Sequence, residues 1–303
     1  MCQAGNLSFA DCRDRLVSLA MTSLLPEPQS GSDGDDVAKP TLVTGWLVAL
    51  PPTVLMFAVG MIGIGSRDMW HDEYATWTSS TLPWRQLVTL IHSYDFVIAP
   101  YYVVMHVWIS VFGDGLTTLR MPSLLAMSVS AGLVALIGRR LFDPAVGLVA
   151  GLLFAVVPST SRFGQEARPY GFAMLGTLLA TVALLRVLES PNTRKWVWYS
   201  IALVGAGMAH IVAITVLFAH AVLVVHDVRD GKDAQLRHWV RAAAASVAAL
   251  TPVVLIGSQQ TRVIAWIQRD AAAVRQLPGE VFGSGAVAAV VIGLGLLLSL
   301  IHL

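Results

Sequence analysis

Tyr101-Tyr-Val-Val-Met-His-Val-Trp-Ile-Ser-Val-Phe112 is apolar and free of Asp, Glu, Lys and Arg, yet only about a dozen residues long. As a helix it would span about 18 Å at 1.5 Å per residue, well short of the roughly 30 Å hydrocarbon core of a bilayer. It reads as an interfacial or re-entrant helix, and the side of the membrane reached by every later segment depends on that reading. If it does not cross, the next apolar stretch, Met121 to Gly138, runs from outside to inside and delivers Arg139 and Arg140 to the cytoplasm. Positive charge on cytoplasmic loops is what sets orientation. The same parity places Arg194 and Lys195 inside, and likewise the basic run Arg229, Lys232, Arg237 and Arg241. If it does cross, all three basic groups land outside.

The composition requires a bilayer. Hydrophobic residues make up 55% of the chain and charged residues 13%, against roughly 25% charged in soluble domains, and the mean hydropathy is +0.67. A formal net charge of +1 gives no footprint for a nucleic-acid partner. Cys2 and Cys12 both lie near the N-terminus, too few for a disulfide framework. Residues 1–40, with the Pro, Gly, Ser and acid-rich run Pro26 to Asp36, read as a disordered cytoplasmic leader. Arg13 and Arg15 ahead of Leu16 to Leu25 imitate a signal peptide without a cleavage site, and Met21 is an alternative initiator.

The expected fold is an all-α integral membrane bundle of about eight spans with interfacial helices in its first outer loop. Spans are expected at Thr41–Ser66, Met121–Gly138, Val146–Pro158, Tyr170–Leu188, Trp196–Ala209, Ile211–Val225, Ala242–Gly257 and Ala286–Leu303. This makes residues 41–257 a transmembrane module with an outer loop at 67–99, followed by an outer loop and last span over 258–303. The last run ends at Leu303 without a polar anchor, so a truncated C-terminus is one expectation. The N-terminus is expected in the cytoplasm and the protein in the plasma membrane.

With that topology the unusual residues collect outside. Met69-Trp-His-Asp-Glu-Tyr-Ala-Thr-Trp77 places Asp72 and Glu73 between aromatics directly after the first span. Carboxylates so near a bilayer are costly unless they face water and act there; otherwise they belong to a solvated loop. Ser161 to Tyr170 brings Arg162, Glu166 and Arg168 to the same face, where Arg120 also opens a span. Arginines on the side that topology disfavours suit an anionic ligand, and guanidinium suits phosphate; alternatively Arg168 pairs with Glu166 or Asp72. Glu73 either orients an acceptor or pairs with an arginine. Tyr101, Tyr102 and Tyr170 either line a sugar pocket or anchor at the interface. His210 either meets a substrate or packs. His71, His106 and His210 match no metal-ligand spacing, so no metal or other cofactor is expected. The glycines Gly60 to Gly65 and Gly283 to Gly295 form no phosphate loop and read as close helix contacts.

Three blocks then resemble the GT-C glycosyltransferases that use lipid-phosphate sugars, in particular bacterial relatives of the protein O-mannosyltransferases. They are Trp70-His-Asp-Glu-Tyr-Ala-Thr76; Pro100 to Trp108 continuing through Phe112-Gly113, Leu119-Arg-Met-Pro-Ser123 and Gly138-Arg-Arg-Leu-Phe142; and Gln165-Glu-Ala-Arg-Pro-Tyr170. Where that family commonly has His-Pro-Pro, this chain has Ile98-Ala99-Pro100. The resemblance implies a polyprenyl-phosphate-sugar donor, carrying mannose or a related sugar, and an extracytoplasmic protein, glycolipid or polysaccharide acceptor. It implies an inverting displacement with Asp72 as general base, helped by Glu73. Arg168 and Arg120 would bind the donor phosphate. His71, Tyr101, Tyr102, Glu166, Tyr170 and His210 would contact substrate. Two other classes share the hydropathy. A transporter or flippase would also have many spans, but there is no inverted repeat and no acid deep in an expected span. A truncated, catalytically silent homologue is the third.

Overall fold

The computed structural model describes residues 42–229, 233–260, 284–287, 289–290 and 293. The expected leader and most of the expected last span fall outside the described residues. Helix α1 covers Leu42–Met61. Two short helices follow, α2 at His71–Ser80 and α3 at Trp84–Ser93, then a 3-10 turn at Phe96–Ile98 and α4 at Ala99–Phe112. The remaining helices are α5 at Leu116–Leu141, α6 at Pro144–Val156, α7 at Pro158–Gly164, α8 at Tyr170–Glu189, α9 at Thr193–Ala209, α10 at Val216–Arg229 and α11 at Asp233–Gln259.

Local sequence explains where these elements start. Asp143 caps α6, its Oδ1 accepting from the backbone N–H of Ala145 and Val146 at 2.7 and 2.9 Å, with Pro144 in the first turn, where its missing N–H costs nothing. Asn192 caps α9 by accepting from Arg194 N at 2.8 Å. Asp72 and Glu73 occupy the first turn of α2, where the helix dipole favours negative charge.

Among the described residues three single helices, Leu116–Leu141, Tyr170–Glu189 and Ala234–Gln259, are long and apolar enough to cross a membrane. A fourth candidate is α6 with α7, bent by 66° at Val157. The expected spans in α9 and in the segment divided between a 3-10 turn at Ile211–Thr215 and α10 are helical but shorter, and α1 contributes a shorter apolar stretch at Gly45–Met61.

The described helices form a bundle with two distinct ends. Arg140 at the close of α5 pairs with Glu189 at the close of α8. Lys195 at the start of α9 donates to the Ser190 carbonyl nearby. At the opposite end, Arg120 in the first turns of α5 meets Glu73, Tyr170 at the start of α8 meets His210 after α9, and Gln260 after α11 meets the segment before α4. Basic residues therefore mark one end and the acidic loop the other.

Helix α4 enters and leaves at the acidic end. Tyr102 near its start donates to Asp95, His106 meets the carbonyl of Ser80 in α2, and Asp114 just past its close accepts from Trp77 Nε1. Its 14 residues cover about 21 Å, so it lies across that end instead of running down the bundle. Small residues allow the long helices to approach. A Cβ on Gly147 would sit 2.4 Å from the Ala135 carbonyl oxygen and from Arg139 N, so α5 and α6 touch backbone to backbone there. Deeper down, Trp239 Nε1 donates to Tyr199, which shares a proton position with His220 Nδ1 at 3.0 Å, and His220 Nε2 meets Thr181 at 3.1 Å. This buried relay ties α8, α9, α10 and α11 together, leaving none of its ring nitrogens unsatisfied.

Candidate functional site

The acidic stretch is helical, which separates its two carboxylates. Successive residues of an α-helix point about 100° apart, so Glu73 faces inward and is 1% exposed, whereas the Asp72 side chain keeps 33% of its surface. Glu73 Oε1 and Oε2 accept from Arg120 Nε and Nη2 at 2.8 and 2.7 Å, and Oε1 also accepts from Ala167 N at 2.8 Å. Arg120 sends its remaining N–H groups to the carbonyls of Ile64, Arg67 and Asp68. Guanidinium carries five N–H donors, and here five acceptors take them. Arg120 is 3% exposed. It is therefore a strut joining α5 to α2 and to the segment at 64–68, with Glu73 extending the tie to Ala167, and Arg120, expected to bind the donor phosphate, has all five donors taken among the described residues. Glu73 is its counterpart, with three hydrogen bonds shared between its two carboxylate oxygens.

Arg168 is placed differently. Its Nη2 lies 3.4 Å from Asp72 Oδ2, and its Nη1 donates to the Asp72 carbonyl at 3.4 Å. Both contacts are long for a charge-assisted bond. Arg168 Nε is buried with no hydrogen-bond partner, and so is the hydroxyl of Tyr101, 3% exposed at the start of α4. The Arg168 backbone is held by Ser123, whose hydroxyl donates to its carbonyl at 3.0 Å. The guanidinium sits 5.8 Å from the ring centre of Tyr170, and that ring lies against His210 at 5.6 Å. Burial, and secondarily the Arg168 charge, pull the pKa of His210 below the usual histidine range, so at neutral pH its ring is uncharged.

The other expected residues divide. Glu166, expected to contact substrate, is paired within its own segment, accepting from Arg162 Nε at 2.7 Å in an i,i+4 ion pair, and lines the polar cavity behind the Glu73–Arg120 pair. His71 has its side chain 96% exposed, with Nδ1 3.6 Å from Asp72 Oδ1. Tyr101, Tyr102, Tyr170 and His210 all gather around Arg168. Among the described residues no three His, Cys, Asp or Glu side chains are arranged to hold a metal ion.

Asp95, which lies in the loop before α4, joins the cluster without having been singled out by any motif. Its Oδ2 accepts from Tyr102 at 2.8 Å, and it feels the charges of both Arg168 and Asp72. Burial raises its pKa above the ordinary aspartate value, and the Tyr102 hydrogen bond offsets part of that rise. A Pro-adjacent tyrosine pair seven residues downstream was the only available signal, and it pointed to the tyrosines.

Two hollows flank the cluster. A polar cavity of about 410 Å³ lies behind the Glu73–Arg120 pair, lined by Arg67, Asp68, Trp70, Arg162 and Gln165 among others. An apolar groove of about 490 Å³ starts at Tyr170 and His210 and continues along α8 past Met174 to Thr177, with Met127, Phe163 and Val216 in its walls.

Fold and site together define a helical membrane protein in which Asp72, Glu73, Asp95, Arg120 and Arg168 converge at one end of the bundle, beside an apolar groove. Comparison with known families matches residues 100–256, just over half of the chain, to the family described as dolichyl-phosphate-mannose-protein mannosyltransferase. The chain belongs to this family, and so to the membrane glycosyltransferases of the GT-C type. Comparisons with curated proteins and with solved structures find no match.

Proposed function

We propose that this protein transfers a sugar, mannose or a close relative, from a polyprenyl-phosphate carrier to a hydroxyl of an extracytoplasmic acceptor, which is a protein, glycolipid or polysaccharide. Residues 41–257 form the transmembrane module and 67–99 its catalytic loop, with the acidic end of the bundle facing outward and the basic end in the cytoplasm of a plasma membrane. The observation that carries this reading is the contrast between the two arginines: Arg120 has every donor occupied, while Arg168 keeps an unpartnered buried Nε and holds Asp72 only loosely.

The donor phosphate binds Arg168, the cation with capacity to spare. Its isoprenoid tail enters the groove at Tyr170 and His210, whose neutral ring adds no charge to an apolar wall. The acceptor oxygen attacks the anomeric carbon as the bond from that carbon to the phosphate oxygen breaks. The electron pair leaves on the phosphate, where Arg168 stabilises it, and the hydroxyl proton passes to Asp72. Glu73 and Arg120 act at one remove, holding α2 so that Asp72 faces Arg168.

Asp72→Asn should lower turnover about 10²- to 10⁴-fold, the usual contribution of a positioned base, and leave donor affinity within a factor of a few. Arg168→Ala should instead weaken donor binding itself. The measurement uses purified protein with radiolabelled polyprenyl-phosphate-mannose and a membrane extract as acceptor source. Wild-type rates in both variants would overturn the assignment.

A further inference from the structure

Asp95 sits in a part of the chain whose position is set from far away. Gln260, which follows α11, accepts from Phe96 N through Oε1 at 2.8 Å and donates through Nε2 to the carbonyls of Ile91 and His92 at 3.4 and 3.1 Å. One amide thus holds the chain on both sides of Asp95. The neighbouring Gly257 brings α11 onto the same segment: a Cβ there would lie 2.3 Å from Val97 Cγ2. Tyr102, 2% exposed, then fixes the carboxylate itself through Oδ2. Among the described residues Asp95 Oδ1 accepts no hydrogen bond. Asp95 is only half-buried, so this oxygen is held firmly in place yet remains open to a donor from a ligand.

Charge decides which part of a ligand that is. If Arg168 holds the phosphate, the sugar is bonded directly to it and its hydroxyls occupy the space next to the guanidinium. Asp95 is within electrostatic reach of Arg168, but as a carboxylate it repels the phosphate. The neutral hydroxyls of the sugar are the donor groups that satisfy it.

Building on that reading of the donor, we propose that Asp95 is a specificity residue for the transferred sugar, its Oδ1 accepting a hydrogen bond from a hydroxyl of the hexose, with Tyr102 and Gln260 as the residues that position it. A site built to pair with a substrate hydroxyl discriminates strongly against the analogue lacking it, because the buried partner is left unpaired. Asp95→Asn is the informative change: the amide keeps an oxygen for Tyr102 and turns N–H groups towards the sugar, replacing an acceptor by a donor.

The test measures binding of polyprenyl-phosphate-mannose, its monodeoxy derivatives and sugar-free polyprenyl phosphate to the purified full chain. The wild type should bind one monodeoxy donor at least about tenfold more weakly than the parent, in line with a lost hydrogen bond to a charged group. In Asp95→Asn that preference should disappear, while sugar-free polyprenyl phosphate binds at least as tightly as it does to the wild type, because a repelling charge is gone, which also shows that the variant is folded. Tyr102→Phe should give a partial loss of the same preference. If Asp95→Asn retains the wild-type pattern across the deoxy series, or if the wild type has no such pattern, the inference is overturned. Failure of the wild type to bind polyprenyl phosphate at all would instead remove the donor reading beneath it.

Discussion

At the scale of single residues, adjacent acids in one motif do different work because a helix turns them apart. The buried pair of Glu73 and Arg120, with 1% and 4% of side-chain surface exposed, has the geometry in which removing one partner strands the other charge. Glu73→Gln should lower stability by about 3–5 kcal/mol, read as a drop in thermal midpoint in detergent, whereas Asp72→Asn should leave that midpoint nearly unchanged. Replacing both Glu73 and Arg120 by Leu and Met should recover much of the loss, since an apolar pair leaves no charge uncompensated. A Glu73→Gln variant of full stability and no turnover would return Glu73 to a catalytic role. The Trp70-His-Asp-Glu-Tyr74 stretch singled out two carboxylates, yet which one is buried depends on the partner on α5, 47 residues away.

At the scale of elements, the bundle rests on glycines whose importance differs sharply with what lies opposite. Gly147→Leu places a side chain into the backbone of α5, which has no room to give, and should abolish the yield of folded protein. Gly205→Ala, on an open face of α9 with nothing within 4 Å, should be tolerated and gain about 0.5–1 kcal/mol from helix propensity. Size-exclusion profiles of the two variants check the contrast. The expected span at Tyr170–Leu188 matches α8 to within one residue, and that at Met121–Gly138 lies within α5, with extra turns at the charged ends. Those turns were hidden because Arg120, Arg139 and Arg140 interrupt the apolar pattern while remaining helical. The expected span at Val146–Pro158 breaks at Val157, where the following proline favours an extended backbone, and continues as α7.

At the scale of the whole molecule, α4 determines which side each later segment reaches. With Cys2 and Cys12 changed to Ser, cysteines introduced at His71 and Asp114 should both react with a membrane-impermeant thiol reagent on intact cells, and one at Asn192 only after permeabilisation. Labelling of Asp114 and His71 from opposite sides would mean that α4 crosses. Length, charge spacing and apolar runs were enough by themselves to determine a helical membrane protein and to mark α4 as a helix too short to run the length of the bundle. These follow from the thickness of a bilayer and the cost of charge within it, which act on each segment alone. Only the tertiary structure decided that Arg120 is saturated and Arg168 is not, that Glu166 is paired locally, and that Asp95 belongs beside Asp72, its neighbour Phe96 held by Gln260 from 164 residues away. Hydrogen-bond donors and acceptors are shared out among residues distant in the chain, and that allocation exists only once the helices have packed.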